Sequence, residues 1–237
     1  MSDLSAPEIA ARRDAVLARV ARAAESAGRD PGEVRLLAVT KTHSAEVVRM
    51  AARAGMTLFG ENRVAEGVEK IQALAGEFPG LQWRLIGPLQ TNKAKPALQY
   101  FSVIESLDRE RLAARLEGLA AAEDRVVPVL LELNLGQEES KSGAAPAEVE
   151  ALAAAVLAFP HLAIRGLMAV PPFTPDPEGA RPYFKRLKEI RDRLADRFAL
   201  PLPELSMGMS HDFEVAVQEG STEIRVGTAL FGERPEA

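Results

Sequence analysis

The chain has 237 residues, 47% hydrophobic and 27% charged, with a net charge of −5 and a pI near 5.4. That length suits one large core, on the scale of the roughly 250 residues of a single barrel, while the acidic balance favours neither nucleic acid nor an anionic membrane surface. Cysteine is absent, which excludes a disulfide framework, a thiolate nucleophile and a cysteine metal site.

At the start of the chain, residues 1–10 carry acids and Pro7 instead of a basic and then apolar leader. No apolar run approaches the roughly 20 residues of a membrane span, so the expectation is a soluble, cytoplasmic protein. Residues 7–27 have helical spacing, with Ile9, Val16, Leu17, Val20 and Ala24 on one stripe, and Gly28 and Pro31 stop them. The run Leu36-Leu37-Ala38-Val39-Thr40-Lys41 has strand length and ends in a lysine. Ser44 then has the chemistry of an N-cap, Val47, Val48, Ala51 and Ala54 keep helical spacing, and Gly55 closes the helix as a C′ residue.

Residues 56–62 predict a second strand ending in the polar pair Glu61-Asn62, and a helix carrying Val64, Val68, Ile71 and Leu74 follows until Phe78-Pro79-Gly80. Residues 82–86 predict a third strand, then the loop from Gly87 to Lys93 and a helix to about Gln99. A fourth strand is expected at 101–105, with Asp108 capping a helix that bears Leu112, Leu116 and Leu119. The strongest strand pattern is 126–133, with Asn134 at its end. A polar loop runs from Gly136 to Gly143, and Pro146 opens a helix with Val149, Leu152, Val156 and Leu157. A sixth strand at 163–170 leads through a proline-rich loop to a helix with Phe184, Leu187, Ile190 and Leu194. Residues 205–207 predict a seventh strand before the loop Gly208-Met209-Ser210, a short helix spans 212–218, and an eighth strand at 223–226 runs into Gly227-Thr228.

Eight strands alternating with helices predict an α/β protein with a parallel sheet, and eight units point to a single-domain (β/α)8 TIM barrel with an extra N-terminal helix. An open doubly wound sheet is the alternative. About ten residues follow the eighth strand, short for a packed closing helix, so the N-terminal helix is expected to fill that gap.

In a barrel, Lys41, Glu61-Asn62, Gln90, Asn92, Lys93, Asn134, Met168, Ser210 and Arg225 with Gly227-Thr228 gather at the carboxyl ends of the strands, where ligands bind. Small residues and hydroxyls after strands seven and eight suit a phosphate. A lysine facing that site is either a charge partner or, as a neutral amine in an apolar-walled pocket, the nucleophile of a Schiff base with a phosphorylated carbonyl compound. An inward arginine at 225 needs an acceptor, in the pocket or on a neighbouring carboxylate. His43, His161 and His211 lie in separate segments and make no metal motif; His161, after Pro160, is expected to be solvated.

The chain resembles the pyridoxal 5′-phosphate homeostasis protein family, single-domain relatives of the alanine racemase N-terminal barrel. The resemblance covers nearly the whole chain. It rests on Ala38-Val39-Thr40-Lys41, Phe59-Gly60-Glu61-Asn62, Ile86 through Lys93, Asn134 through Lys141-Ser142-Gly143, Gly166-Leu167-Met168, Met207 through Ser210 with Asp212, and Gly220 through Gly232. It implies a covalent aldimine between Lys41 and pyridoxal 5′-phosphate (PLP), with Asn62 lining the cofactor. It further implies that Ser210, Gly227 and Thr228 hold the phosphate and that Arg225 faces the pyridine nitrogen. Arg234 would end the barrel. One departure stands out: the family carries histidine where this chain has Arg84, which puts the chemistry at the third strand in question.

A cationic guanidinium beside the pyridine nitrogen disfavours protonating it and weakens the ring as an electron sink. Tyr100 and Tyr183 fall in or beside helices as packing residues, so no second acid/base stands out for racemisation. The expectation is a PLP-binding homeostasis protein acting as a monomer or weak dimer, holding PLP reversibly and handing it to PLP-dependent apoenzymes. The rivals are a weak PLP-dependent racemase or lyase and a cofactor-free Schiff-base aldolase.

Overall fold

The computed structural model describes residues 4–136 and 142–233. Eight parallel strands, β1 (Arg35–Val39), β2 (Leu58–Glu61), β3 (Gln82–Leu85), β4 (Val103–Leu107), β5 (Val127–Leu133), β6 (Leu162–Ala169), β7 (Glu204–Met209) and β8 (Glu223–Val226), pair in sequence order. β8 pairs back onto β1 with Leu37 beside Arg225, so the sheet closes and the open-sheet alternative falls away. Around the strands run α1 (Ala6–Ser26), α2 (Ala45–Arg53), α3 (Val64–Leu74), α4 (Ala94–Tyr100), α5 (Glu110–Ala122), α6 (Val149–Leu157), α7 (Arg181–Phe198), α8 (Phe213–Gln218) and α9 (Thr228–Phe231). No helix among the described residues is long and apolar enough to cross a membrane.

The N-terminal helix fills the expected gap. Ser5 and Glu8 form a reciprocal capping box at its start, and its buried stripe of Ile9, Val16, Val20, Ala23 and Ala24 packs against α2, α8 and the four-residue α9. Arg19 adds a bidentate pair to Glu214 and lies 4.4 Å over the Phe213 ring. Leu17, expected on the stripe, is 40% exposed; it is one residue past Val16, about 100° round the helix from it.

Strand alternation sorts the core into two places. Outward-facing Ala38, Phe59, Leu85, Ile104, Leu131, Leu167 and Ile224 pack under the helices in the main hydrophobic cluster, where burial of each large side chain contributes about 1.5–3 kcal/mol. Among the described residues the barrel interior holds two small apolar groups: Leu37, Val39 and Leu58 with Ile86, and Val103, Leu130 and Met168 with Val170. Between them lie buried Arg84, Glu105, Glu204, Ser206, Glu223 and Arg225.

Several local expectations are corrected. Asp108 does not cap α5, whose N-cap is Arg109 without a side-chain cap bond; Asp108 pairs with Arg109 instead. Pro146 opens a turn, and α6 starts at Val149. Gly208 belongs to β7, where a φ of +94° and the shifted β7–β8 register mark a bulge against Ala216 of α8. His161 is not a solvated loop residue: its Nδ1 lies 2.8 Å from Glu117 Oε1 and its backbone N–H donates to the same carboxylate. Arg234 and the middle of the polar loop after β5, Lys141 included, lie outside the described residues.

Candidate functional site

At the carboxyl ends of the strands lies a cavity of about 520 Å³ that brings together Lys41, Asn62, Ser210, Arg225, Gly227 and Thr228. Each comes from a different strand end or from the turns after β7 and β8, so only barrel closure makes them neighbours. Ile86, Val39 and Val170 supply apolar wall, and His43, His211, Ser142 and Glu132 complete the polar lining. The two tyrosines stand apart from it: Tyr100 ends α4 and accepts a bond from Gln72 at 2.6 Å, and Tyr183 lies in α7.

Lys41 sits in a turn closed by the His43 N–H donating to the Thr40 carbonyl at 3.1 Å. The next residue, Thr42, has a φ of +67°, a left-handed conformation that costs a β-branched residue on the order of 1–3 kcal/mol. A buried ion cluster behind β1 and β2 holds this turn from both sides. Lys70 Nζ, on α3, donates to the Thr40 carbonyl at 2.6 Å, to Glu61 at 2.7 Å and to Glu66 at 2.6 Å. Glu66 in turn accepts from the Thr42 N–H at 2.5 Å, and Thr40 Oγ1 donates to Glu61 at 2.6 Å. Glu61 therefore faces the helices, while its neighbour Asn62 lines the cavity. Burial pushes the Glu61 carboxyl above its usual range, with Lys70 and Thr40 pulling it back in part.

No motif in the sequence points to Glu132. It faces inward from β5, paired in register with Met168, and is 5% exposed. The chain after β5 returns to run beside its end, with Ala144 N–H donating to the Glu132 carbonyl and Asn134 N–H to the Ala144 carbonyl. Gly143 permits that approach: its φ is +110°, and a Cβ there would lie 2.6 Å from Asn134 N. The return lays Ser142 Oγ 2.7 Å from Glu132 Oε1, while Oε2 has no hydrogen-bond partner among the described residues. Burial raises the carboxyl to about 7, against the Ser142 bond.

Arg225 is 4% exposed and donates to Ser206 Oγ at 2.7 Å and to the Ala169 carbonyl at 2.8 Å, so the acceptors it needed are a hydroxyl and a carbonyl. Ser206 then donates to Glu105 at 2.6 Å. Below it, Arg84 lies 3.3 Å from Glu105, 2.7 Å from Glu204 and 3.3 Å from Glu223, and Arg35 closes the lower rim on Glu204 at 2.6 Å. Arg84 thus departs from the histidine pattern in the barrel interior, away from the cavity lining. Burial disfavours its charge, but the three carboxylates outweigh that and raise its pKa. Burial also pushes Glu204 up, but Arg84 and Arg35 outweigh it and hold the carboxyl low. Glu223 is held well above the carboxylate range by burial and by Glu105.

After β7, Asp212 Oδ1 accepts from the Met209 N–H at 2.7 Å, and Ser210 Oγ accepts from the Ala229 N–H at 3.2 Å, tying the turn after β7 to the one after β8. This knits Ser210 to Gly227 and Thr228 on one wall. Among the described residues no group of three or more His, Cys, Asp or Glu is placed to hold a metal ion.

Comparison with known proteins gives consistent results. The sequence profile of the alanine racemase N-terminal domain matches residues 12–235. A pyridoxal phosphate homeostasis protein of Aquifex aeolicus is 44% identical over 223 residues, 94% of this chain and 97% of that protein. One from Pseudomonas aeruginosa is 46% identical, over 92% of this chain and 93% of its own length. Among solved structures, PipY of Synechococcus elongatus with PLP bound superimposes with a TM-score of 0.83 at 37% identity, covering 94% of this chain and all of PipY.

Proposed function

The chain belongs to the pyridoxal phosphate homeostasis protein family, on the alanine racemase N-terminal barrel, and from that premise we propose that it binds PLP in the cavity at the strand ends and acts in PLP homeostasis. The observation that carries the reading is that six residues from across the sequence, Lys41, Asn62, Ser210, Arg225, Gly227 and Thr228, surround one cavity. Its chemistry fits the group: an amine, a guanidinium, two hydroxyls and apolar walls, within the roughly 300–1,000 Å³ of small-molecule sites.

In this reading the Lys41 amine holds the ligand's aldehyde carbon covalently and reversibly. Ser210, Gly227 and Thr228 would hold the phosphate, Arg225 would lie toward the pyridine nitrogen and Asn62 would line the ring. When bound, PLP supplies an electrophilic carbonyl conjugated to an electron-withdrawing ring. Arg225 limits that withdrawal, because a fixed cation beside the pyridine nitrogen opposes its protonation. The Lys70 cluster fixes the Lys41 turn, so the amine is aimed before ligand arrives. The arrangement suits storage and release over carbanion chemistry, with PLP-dependent apoenzymes as recipients. The absence of cysteine suits a reducing cytoplasm.

An absorbance titration with PLP tests this. Wild-type protein develops a saturable visible band at one equivalent, and Lys41→Ala lacks it. A band of equal size in both proteins contradicts the assignment of Lys41.

A further inference from the structure

Glu132 is a carboxyl built into a cavity that, on the reading above, receives an anionic ligand. One oxygen is satisfied by Ser142 and the other is buried without a partner among the described residues. An ionised carboxylate in that state leaves lone pairs unanswered, whereas the neutral acid has a proton to offer. The surroundings pull in both directions. Arg225 from β8 and the Ser142 hydroxyl favour the ionised form, while Glu105 of β4 and Asp108 just beyond β4 oppose it. Met168 of β6, its register partner, brings no charge, and Lys41, His43 and His211 line the same cavity. A phosphate ester with a phenolic oxygen adds negative charge to this enclosure and makes a second anion there more costly.

We propose that Glu132 is a ligand-contacting residue that enters the complex as the neutral acid and donates its proton in a hydrogen bond to an oxygen of the bound phosphorylated pyridoxal, so that binding takes up a proton. This rests on PLP occupying the cavity as proposed above. The proton comes from solvent and no covalent bond to the ligand changes. Because burial sets the free carboxyl at about 7, the coupling acts around neutral pH, and ligand is held less tightly as the solution becomes alkaline. The sign is opposite to that of Lys41, whose covalent linkage needs a deprotonated amine and so gains from rising pH.

Pyridoxine 5′-phosphate separates the two, since it keeps the ring and phosphate but has no aldehyde for Lys41. Its Kd is measured from pH 6 to 8.5 for wild type and Glu132→Gln, with calorimetry in buffers of different ionisation enthalpy. The wild-type Kd rises about 30-fold over that range relative to the variant, as linkage to a group titrating near 7 requires. Calorimetry shows proton uptake at pH 8 that Glu132→Gln lacks. Ser142→Ala removes a donor to the ionised form and moves the rise to higher pH. Parallel pH profiles for wild type and Glu132→Gln, both binding, overturn the proposal and leave PLP binding intact. Failure of wild type to bind either pyridoxine 5′-phosphate or PLP at any pH overturns the reading of the cavity, and this inference with it.

Discussion

In the lower half of the barrel interior Arg84 lies among Glu105, Glu204 and Glu223, with Arg35 closing the rim. In the upper half Lys41, Glu132 and Arg225 stand around a cavity. The lower cations meet carboxyl groups at 2.6–3.3 Å, and burial with Glu105 pushes Glu223 toward its neutral form, which eases the cost of holding ions without water. Glu132 Oε2 in the upper half and Glu223 Oε2 in the lower both lack a hydrogen bond among the described residues, but Glu223 Oε2 keeps Arg84 and Arg35 at 3.3 Å, whereas Glu132 Oε2 has space beside it. One chain of contacts joins the halves, from Arg225 through Ser206 to Glu105 and then Arg84. The comparison sets paired charges at the amino ends of the strands against an open cavity at the carboxyl ends, the division expected of a barrel.

The largest effect expected is at Arg84. Arg84→Met leaves Glu105, Glu204 and Glu223 facing one another with Arg35 and, 3.8 Å from Glu204, Arg165 at the rim, and denaturant unfolding should report a loss of about 3–5 kcal/mol. Glu132→Gln should act in the opposite sense. A carboxyl raised from 4.5 to about 7 in the folded state contributes stability that is fully present below 4.5 and lost as pH rises through 7. The amide variant escapes that loss, so ligand-free Glu132→Gln should exceed wild type by about 3 kcal/mol at pH 8.5. The difference should vanish near pH 4.5, read from urea midpoints across the range.

Glu61 and Glu132 show what was legible in the sequence and what was not. Both are carboxylates near the end of an apolar strand run, and the runs themselves were readable: the eighth strand has the expected bounds at 223–226, and the strand count was right. The direction of each carboxylate depends on strand parity within a closed sheet and on partners far away in sequence. Glu132 shares the inward parity of Leu130 and of its register partner Met168, whereas Glu61 shares the outward parity of Phe59 and meets Lys70. Alternation within 127–133 was the available signal for Glu132. Arg84 was beyond such reasoning, because Glu204 and Glu223 are 120 and 139 residues away. The six cavity residues were legible through motif blocks, which record the strand ends of a barrel without requiring its geometry to be worked out.

Lys70→Met breaks the support of the Lys41 turn. With Glu61 able to take up a proton, the cost should be about 2–3 kcal/mol at pH 8 and smaller at pH 5, with PLP affinity falling several-fold because the Thr40 carbonyl and the Glu66 carboxylate that holds Thr42 lose their shared donor. The smallest effect belongs to the link between halves. Ser206→Ala removes one buried hydroxyl between Arg225 and Glu105 and should cost about 1 kcal/mol in stability, with a few-fold weaker PLP binding. Unchanged PLP affinity in Ser206→Ala would mean that the two halves act independently.

The most direct test of the account is to mix the protein with PLP, reduce with borohydride and map the modified peptides. The account predicts one equivalent of label, on Lys41. Label scattered over surface lysines, or none, would contradict it and return the cavity to an unassigned barrel site.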